Sequence, residues 1–249
     1  MAADPAPATR GSTRPLAVPS RPLRATVDVT LWCPDGVRDG VALPLLAVHD
    51  GPEYDAQAGL TALAAAFIET GRVPPHRIAL LAPGARDEWY SASALYARAL
   101  TEEVLPAVGR AVAVAGPPVG MGASLGGLAM LHAQRRAPEA FAGLFLQSSS
   151  FFMPRFDHME KGFPRYGRIV RFVRGVVREP AFDAPVPVTL TCAAEEDNVH
   201  NNRRVAAALR LQGYDAALVE TPGGHDFGTW GAAVDPHLAD LLAAVWGTG

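Results

Sequence analysis

The sequence feature that most constrains the fold is Ser124, a serine with a glycine two residues away on each side. The apolar run 119–123 precedes it, and the alanine- and leucine-rich stretch 125–137 follows it. Glycines at these spacings fit a sharp strand-to-helix turn, because a Cβ at Gly122 or Gly126 would collide with the opposite element. Such a turn holds the serine in a strained backbone conformation and exposes its hydroxyl as a nucleophile. The pattern therefore predicts a strand, a strained turn and a helix in direct succession.

Strand and helix patterns alternate along the rest of the chain. The predicted strands are residues 25–33, 43–48, 78–81, 119–123, 141–146, 186–192 and 216–220, and the predicted helices are 60–70, 91–108, 125–137, 202–212 and 236–246. Alternation of this kind favours parallel pairing with right-handed crossovers, whereas the half-exposed strand 25–33 has the pattern of an antiparallel strand. We therefore expect an α/β fold with a mostly parallel central sheet and helices on both faces.

The domain organisation follows from composition along the chain. Residues 1–22 are rich in Pro, Ala, Arg, Ser and Thr and lack the apolar core of a secretory signal, so they are predicted to be a flexible N-terminal tail. Residues 23–249 are predicted to form a single domain, which is a suitable length for one large core. The aromatic and basic segment 151–180 interrupts the alternation and is predicted to be a small insertion that could act as a lid.

Composition excludes several classes of partner. The formal charge of −3 gives no field suited to nucleic acid, and no segment approaches about 18 uninterrupted apolar residues, so no membrane span is expected. Cys33 and Cys192 lie in apolar strands without metal-site spacing and are predicted to be buried free thiols. We expect a cytoplasmic protein without a metal or cofactor; its oligomeric state, including a homo-oligomer, is left open.

A serine nucleophile needs a base and a group that orients the base. Among the seven histidines, His225 is the best candidate, because it follows Gly223 and Gly224 in a loop after a predicted strand; His49, after an earlier strand, is the alternative. If the order is serine, acid, histidine, the acid belongs to the carboxylate cluster that follows the strand ending at Cys192. Glu195, Glu196 and Asp197 are the members of that cluster, which as a solvated loop would also cap the next helix.

An oxyanion formed during acyl transfer needs preorganised donors. The backbone N–H of Leu125, directly after the nucleophile, is the first candidate. The second should come from the loop after strand 43–48, where Pro52 has no N–H and Gly51 or Glu53 remains. Gly51 is preferred, because the absence of a side chain would let substrate approach.

Four motifs together resemble the putative-esterase group of α/β hydrolases, which includes enterochelin esterase, esterase D and the antigen 85 acyltransferases. They are Asp50-Gly51, Gly122-Ala123-Ser124-Leu125-Gly126-Gly127-Leu128, Gln147-Ser148-Ser149-Ser150 and Gly223-Gly224-His225-Asp226 with Trp230. The likeness extends from about residue 45 to 230 and is closest to the enterochelin esterase catalytic domain. It implies an α/β-hydrolase fold.

The resemblance also implies residue roles. Ser124 would be the nucleophile, His225 the base and Glu196 the acid, with Asp197 and Glu195 still open and a serine–histidine dyad also compatible. Arg86 and Trp89 resemble a substrate-side arginine and aromatic of the group. Ala193 and Ser149 stand where the group usually has glycine.

The implied activity is hydrolysis of a small-molecule carboxylic ester by a serine esterase, with an enterochelin-like siderophore ester as a candidate substrate. In the 151–180 segment, an aromatic and basic lid would suit an anionic aromatic substrate, although an exposed helix face explains the arginines equally well; the residues concerned are Arg168, Arg171, Arg174, Phe151, Phe152 and Phe163. Alternatives are acyl transfer to an alcohol and a non-catalytic binding module on a hydrolase fold.

Overall fold

A computed structural model describes residues 11–247 of the 249-residue chain, with one eight-stranded sheet at its centre. The strands are β1 Gly11–Ser20, β2 Ala25–Pro34, β3 Leu45–His49, β4 Arg77–Leu81, β5 Val119–Ala123, β6 Gly143–Gln147, β7 Val188–Ala193 and β8 Ala216–Thr221. Their order across the sheet is β1-β2-β4-β3-β5-β6-β7-β8. The first two pairings, β1 with β2 and β2 with β4, are antiparallel, and the other five are parallel.

Within residues 11–247, eight α-helices lie between the strands along the chain and two more follow the last strand. They are α1 Gly51–Ala58, α2 Leu60–Glu69, α3 Arg86–Trp89, α4 Ala94–Ala99, α5 Leu105–Ala111, α6 Leu125–Arg136, α7 Tyr166–Arg178, α8 Val199–Leu211, α9 Phe227–Ala232 and α10 Ala239–Trp246. A short π-helical turn covers Leu100–Val104, and 3₁₀ turns cover Pro138–Ala140 and Met159–Gly162. The segment Val234–Leu238 is kinked at Asp235, whose φ of −108° and ψ of 118° are not helical.

The core lies on both faces of the sheet. Along β3, Leu45 and Ala47 pack with residues of α4, α6 and α7, whereas Leu46 and Val48 pack with residues of α2 and α10. Successive side chains of a strand point to opposite faces, so a strand covered on both sides must be apolar throughout. The continuous apolar runs of β3, β5 and β6 therefore have a direct structural cause, and the predicted layered α/β architecture is confirmed.

The prediction of a flexible tail over residues 1–22 is wrong for residues 11–20. These residues form β1, which pairs with β2 over ten positions. The tail-like composition misled because proline is compatible with an edge strand, whose outer side needs no ladder hydrogen bonds. Pro15 and Pro19 lie in this edge strand, while Val18 is buried on the sheet. Residues 1–10 lie outside the described residues.

The helix predicted over residues 91–108 is also modified. It begins at Ala94, because the Ser93 hydroxyl accepts a hydrogen bond from the Tyr96 N–H and caps the first turn. A π-helical turn then leads to α5, where Pro106 lies in the first turn and has no N–H for the preceding ladder. The single predicted helix is therefore three successive helical segments.

The 151–180 segment contains an extended loop and then a full helix. Helix α7 buries Ile169, Val173 and Val176 in the core and packs beside α8. Because this helix is part of the packed layer, the proposed lid is restricted to the part of the segment before Tyr166.

Two features are absent from residues 11–247. No helix there is long and apolar enough to cross a membrane, and no group of three or more His, Cys, Asp or Glu side chains could hold a metal ion. Cys33 and Cys192 are buried and unpaired, as predicted.

Candidate active site

Ser124 occupies the turn between β5 and α6 in the conformation that the glycine spacing predicts. Its φ of 54° and ψ of −123° lie in a region that L-residues rarely adopt. A Cβ at Gly122 would lie 2.5 Å from the Gly126 carbonyl carbon, and a Cβ at Gly126 would lie 3.1 Å from His49 Cβ. The two glycines therefore allow the strand and the helix to approach closely enough to hold the serine at the turn.

The end of the neighbouring strand β6 forms one side of the serine site. The Ser124 N–H donates to the Gln147 carbonyl at 2.9 Å, and the Ser150 N–H donates to the Ser124 carbonyl at 3.0 Å. The Ser124 and Ser150 hydroxyl oxygens lie 3.1 Å apart and share a hydrogen bond. Sequence reasoning noted the 147–150 motif but assigned it no role; its role in the structure is to fix the backbone around Ser124.

His225 and Glu196 form the second part of the constellation. His225 Nδ1 lies 2.7 Å from Glu196 Oε2. Since a carboxylate only accepts, Nδ1 carries the proton and Nε2 is left as the basic nitrogen. The imidazole is 44% exposed and contacts the Trp230 ring edge to face, with centroids 5.0 Å apart. This geometry fixes the orientation of the imidazole against Glu196 and Trp230.

Glu196 is held by more than the histidine. Its side chain is 5% exposed, and its Oε1 accepts hydrogen bonds from the Ser148 hydroxyl at 2.6 Å and the Ala193 N–H at 3.1 Å. Trp230 Nε1 in turn donates to the Ser148 hydroxyl at 3.1 Å. Burial alone would raise the pKa of Glu196, but the hydrogen bonds from His225, Ser148 and Ala193 outweigh it and lower that pKa. The carboxylate is therefore ionised beside the imidazole.

The structure separates the three candidate acids. Glu195 and Asp197 line the same cavity as Glu196, but of the three only Glu196 has a hydrogen bond to His225 among the described residues. The turn after β7 decides which of the three acids contacts His225. In this turn the Glu196 N–H donates to the Ala193 carbonyl, and the Glu196 side chain folds back to accept from the Ala193 N–H.

The alternative base, His49, is excluded by burial. Its ring is fully buried, with Nδ1 2.9 Å from the Gly126 carbonyl and Nε2 2.9 Å from the Tyr96 hydroxyl. Burial lowers the pKa of His49 to about 4. The neutral ring donates to the Gly126 carbonyl in the first turn of α6 and accepts from the Tyr96 hydroxyl. It therefore helps to fix the start of α6, directly after Ser124.

Ser124 and His225 line one open cavity of about 690 Å³. Among the described residues, Ser124 Oγ is hydrogen-bonded to Ser150 and not to His225. Among these residues Arg86 is the one arginine or lysine of the cavity lining, and the other charged groups are carboxylates. The carboxylates belong to Asp87, Asp157, Glu160, Glu195, Glu196 and Asp197. The cavity therefore brings the predicted nucleophile and base to one place under a negative potential.

The two predicted oxyanion donors differ in position. Leu125 is the first residue of α6 and lines the cavity, so its N–H is free of intrahelical acceptors. Gly51 is the first residue of α1, but it is buried, and a Cβ there would lie 2.4 Å from Leu80 Cα. The expectation that glycine at position 51 lets substrate approach is therefore corrected. The absence of a side chain at Gly51 lets α1 pack closely on β4.

Arg86 lines the cavity, whereas Trp89 does not. Arg86 Nε and Nη2 donate to the two carboxylate oxygens of Asp50 at 2.9 and 2.8 Å, and the arginine side chain is 33% exposed. Trp89 is buried and stacks on Tyr96, with ring centroids 5.6 Å apart. The expectation that Trp89 contacts substrate is therefore corrected, because its ring packs in the core. Asp50, to which the sequence analysis gave a place in the Asp50-Gly51 motif but no role of its own, fixes the arginine.

The arginines of the proposed basic lid do not face this cavity. Arg168 binds Glu88 Oε1 at 2.7 Å and also the Ser91 carbonyl, and Arg171 is exposed outside the cavity lining. Arg174 lines a different cavity. The aromatic part of the expectation holds for Phe152 and Phe163, which line the cavity around Ser124, but not for Phe151, which is fully buried in the core.

The chain is similar to known esterases in family and in fold. The model of the Putative esterase family matches residues 20–241. A search of curated protein sequences found no significant match. The fold is similar to that of the enterobactin esterase of Shigella flexneri, with a TM-score of 0.78, 20% identity and coverage of 99% of this chain. The chain spans 62% of the length of that enzyme.

Two further solved structures match the chain over nearly their whole length. A ferulic acid esterase has a TM-score of 0.78 at 17% identity, with coverage of 94% of this chain and 98% of its own. The S-formylglutathione hydrolase of Staphylococcus aureus has a TM-score of 0.65 at 11% identity, with coverage of 95% and 98%. At such identities the likeness shows the fold, which is the α/β-hydrolase fold. From the family match over residues 20–241, together with this fold, the chain belongs to the Putative esterase family.

Proposed function

We propose that this protein is a serine esterase that hydrolyses carboxylic esters through an acyl-enzyme. The observation that carries the proposal is the strained turn at Ser124, which opens into the same cavity as the oriented pair His225 and Glu196. A nucleophile, a base and an orienting carboxylate in one cavity are the parts that acyl transfer needs. The family match and the esterase folds of its structural neighbours support the same reaction class.

In the proposed reaction, Ser124 Oγ attacks the ester carbonyl while His225 Nε2 takes its proton. Glu196 stabilises the resulting imidazolium, and the Leu125 N–H donates to the oxyanion. Gly51 is the proposed second donor. The imidazolium then protonates the leaving alcohol, and water, deprotonated by the same nitrogen, releases the acid from Ser124.

The hydroxyl of Ser150 gives the resting serine a partner. A hydroxyl can donate one hydrogen bond and accept another, so Ser150 can donate to Ser124 Oγ while the Ser124 proton passes to His225. Catalytic hydrogen bonds are commonly looser before substrate binds. The proposal therefore includes a Ser124 hydroxyl hydrogen that points towards His225 Nε2 when substrate is bound.

Substitution of the nucleophile tests the reaction directly. We expect Ser124→Ala to lower kcat/KM for p-nitrophenyl acetate by at least about 10⁴-fold, because the covalent step is lost. Ser150→Ala is the matched control, which removes the neighbouring hydroxyl but retains the nucleophile. A fluorophosphonate should label wild type and Ser150→Ala at Ser124; unlabelled wild-type protein without ester turnover would contradict the proposal.

For the substrate, we propose an ester with an aromatic group. The support is the pair Phe152 and Phe163, whose rings line the cavity and meet edge to face at 6.0 Å. Structural neighbours are an enterobactin esterase and a ferulic acid esterase, so a catecholate siderophore ester and a hydroxycinnamoyl ester are the candidates. The carboxylates that surround the cavity favour a neutral substrate over an anionic one.

A hydrolysis screen can distinguish the candidate ester substrates by their charge. We expect the iron-free triscatecholate ester, or a neutral feruloyl ester, to be hydrolysed faster than the strongly anionic ferric triscatecholate. Addition of an alcohol acceptor should leave free acid as the product, and formation of a new ester would indicate an acyltransferase instead. Faster hydrolysis of the ferric complex would show that the negative lining does not control substrate choice.

A further inference from the structure

A second cavity, of about 430 Å³, lies beside the catalytic one. Its apolar wall is formed by Val170, Val173 and Val177 of α7, and Phe152 and Met153 of the preceding loop close it from the other side. The volume is within the range of small-molecule sites, roughly 300–1,000 Å³, which are lined mainly by apolar and aromatic side chains. Among the residues that the structure describes, Phe152 is the one that lines both cavities.

Arginines supply the whole charged part of this second lining. Arg155 comes from the loop, Arg174 and Arg178 from α7, and Arg204 from α8; no carboxylate lines the cavity. None of these four has an ion pair among residues 11–247, although nearby arginines do: Arg168 pairs with Glu88, Arg203 with Glu220 and Arg135 with Glu179. The second cavity is therefore positive where the catalytic cavity is negative.

The loop that closes the cavity is held in a defined conformation. The buried carboxylate of Asp157 accepts a hydrogen bond from the Met153 N–H at 2.6 Å and two from Asn201 Nδ2 at 2.8 Å, which tie the loop to α8. The Phe156 ring stacks on His200 at 5.7 Å, and the Phe152 ring stacks on Tyr166 at 5.8 Å. A wall fixed in this way costs little ordering entropy when a ligand binds.

We propose that this arginine-rimmed cavity binds a small molecule with an apolar body and a carboxylate. The apolar wall would cover the body, while exposed guanidinium groups at the rim, each with several N–H donors and no internal carboxylate, would bind the anion. The ligand can be a free carboxylic acid or the remote, charged end of an ester bound at Ser124, since Phe152 lines both cavities and makes them neighbours. The inference does not depend on the proposed reaction.

Octanoate and its neutral counterpart 1-octanol are suitable probes, measured by titration calorimetry with the full-length protein. The double substitution Arg174→Glu with Arg178→Glu reverses the rim charge. The matched control is Arg136→Glu with Arg171→Glu, two exposed arginines outside the cavity that give the same net charge. We expect the rim variant to bind octanoate about tenfold or more weakly than the control variant, because charge-assisted hydrogen bonds are lost. Binding of 1-octanol should be alike in both.

A steric variant tests the apolar wall separately. Val177→Trp fills the cavity and should weaken both octanoate and 1-octanol, with thermal unfolding as the check that the fold is retained. Equal octanoate affinity in the rim variant, the control variant and wild type would overturn the proposal, as would an absence of saturable octanoate binding to wild type.

Ester kinetics then distinguish the two sources of the ligand. If the cavity holds the remote end of a substrate, the rim variant should raise KM for mono-p-nitrophenyl suberate about tenfold and leave KM for p-nitrophenyl octanoate unchanged. If the cavity holds a free acid, octanoate binding is weakened while both KM values stay at the wild-type level. An inactive protein would remove this comparison and leave the calorimetric test intact.

Discussion

At the residue scale, the carboxylate of Glu196 joins three loops that the chain visits far apart. Ser148 follows β6, Glu196 itself follows β7, and His225 lies after β8. Parallel strands bring their carboxyl ends to one edge of the sheet, so these loops meet although almost 80 residues separate the first from the last. Each hydrogen bond to the carboxylate therefore also fixes the position of another loop.

We expect Glu196→Gln to lower kcat/KM by about 10³- to 10⁴-fold with little effect on the fold. The amide oxygen can still accept from Ser148 and the Ala193 N–H, but the amide group would face His225 Nδ1 with a donor. The imidazole would then favour the tautomer with its proton on Nε2, which cannot act as a base. Steady-state kinetics with p-nitrophenyl acetate measure the loss.

Glu195→Gln is the matched control for this substitution. It removes one negative charge from the same cavity and the same loop, but it breaks no hydrogen bond to His225. Activity should stay close to wild type. A large loss in Glu195→Gln together with a small loss in Glu196→Gln would show that the orienting acid is assigned to the wrong residue.

At the element scale, the contact between β5 and α6 depends on Gly122. We expect Gly122→Ala to destabilise the protein by about 3 kcal/mol, because the new Cβ overlaps the backbone of Gly126 and no side chain can move to relieve it. In a protein of this size the Tm should fall by roughly 6–12 °C, measured by calorimetry or circular dichroism. Activity should fall as well, because β5 and α6 must move apart and this changes the turn that holds Ser124.

Gly175→Ala in α7 is the matched control for Gly122→Ala. No atom lies within 4 Å of the Cβ position, and alanine is favoured over glycine within a helix by up to about 1 kcal/mol. We expect a small gain in stability with unchanged activity. If Gly175→Ala lost as much stability as Gly122→Ala, the close approach of β5 and α6 could not be the cause of the destabilisation in Gly122→Ala.

Strand β1 covers an edge that would otherwise be open. It pairs with all ten residues of β2, and Arg14 binds the Asp39 carboxylate at 2.7 Å and the Ala111 carbonyl at 2.9 Å. A protein that begins at residue 21 would present β2 as a long, unpaired edge. We expect its Tm to fall by roughly 5 °C or more and its tendency to associate to rise, measured by thermal unfolding and light scattering.

The matching truncation begins at Gly11 and keeps the whole strand. It should behave as the full-length protein does in both measurements. If loss of residues 11–20 changed neither stability nor association, β1 would contribute nothing to the protection of the sheet edge.

At the scale of the whole molecule, three histidines are buried within the layers: His49, His76 and His132. Burial lowers the pKa of each from 6.5 to about 4. The unfolded chain takes up protons near pH 6.5 while the folded protein does not, so acidification favours unfolding. Stability is therefore fully present above pH 6.5 and is lost as the pH falls towards 4.

We expect the free energy of unfolding to fall between pH 6.5 and 4 by about 1.4 kcal/mol per pH unit for each buried histidine. Urea unfolding at a series of pH values measures the slope. His132→Phe, which can keep the edge-to-face contact with Phe172, should reduce the slope by one histidine's share. A slope identical to wild type would show that His132 is protonated equally in the folded and unfolded states.

Local chemistry was enough to predict much of this protein. Alternation of apolar strands with helices is imposed by burial on both faces, and the spacing of Gly122, Ser124 and Gly126 is imposed by sterics at one turn. Both are properties of neighbouring residues, so they can be inferred without knowledge of the fold. The positions of the strands β2 to β8, the serine turn and the histidine loop were accordingly predicted.

Other features depend on which segments meet. Glu196 is distinguished from Glu195 and Asp197 by its contacts with Ser148 and His225, which lie in the loops after other strands. Residues 11–20 form a strand because β2 offers an edge, and Trp89 is buried because Tyr96 covers it. Arg174 and Arg178 of α7 face a separate cavity, because the apolar side of that helix packs on the core. Hydrogen bonding, burial and charge at these positions are set by partners distant in sequence, and only the packed chain brings those partners together.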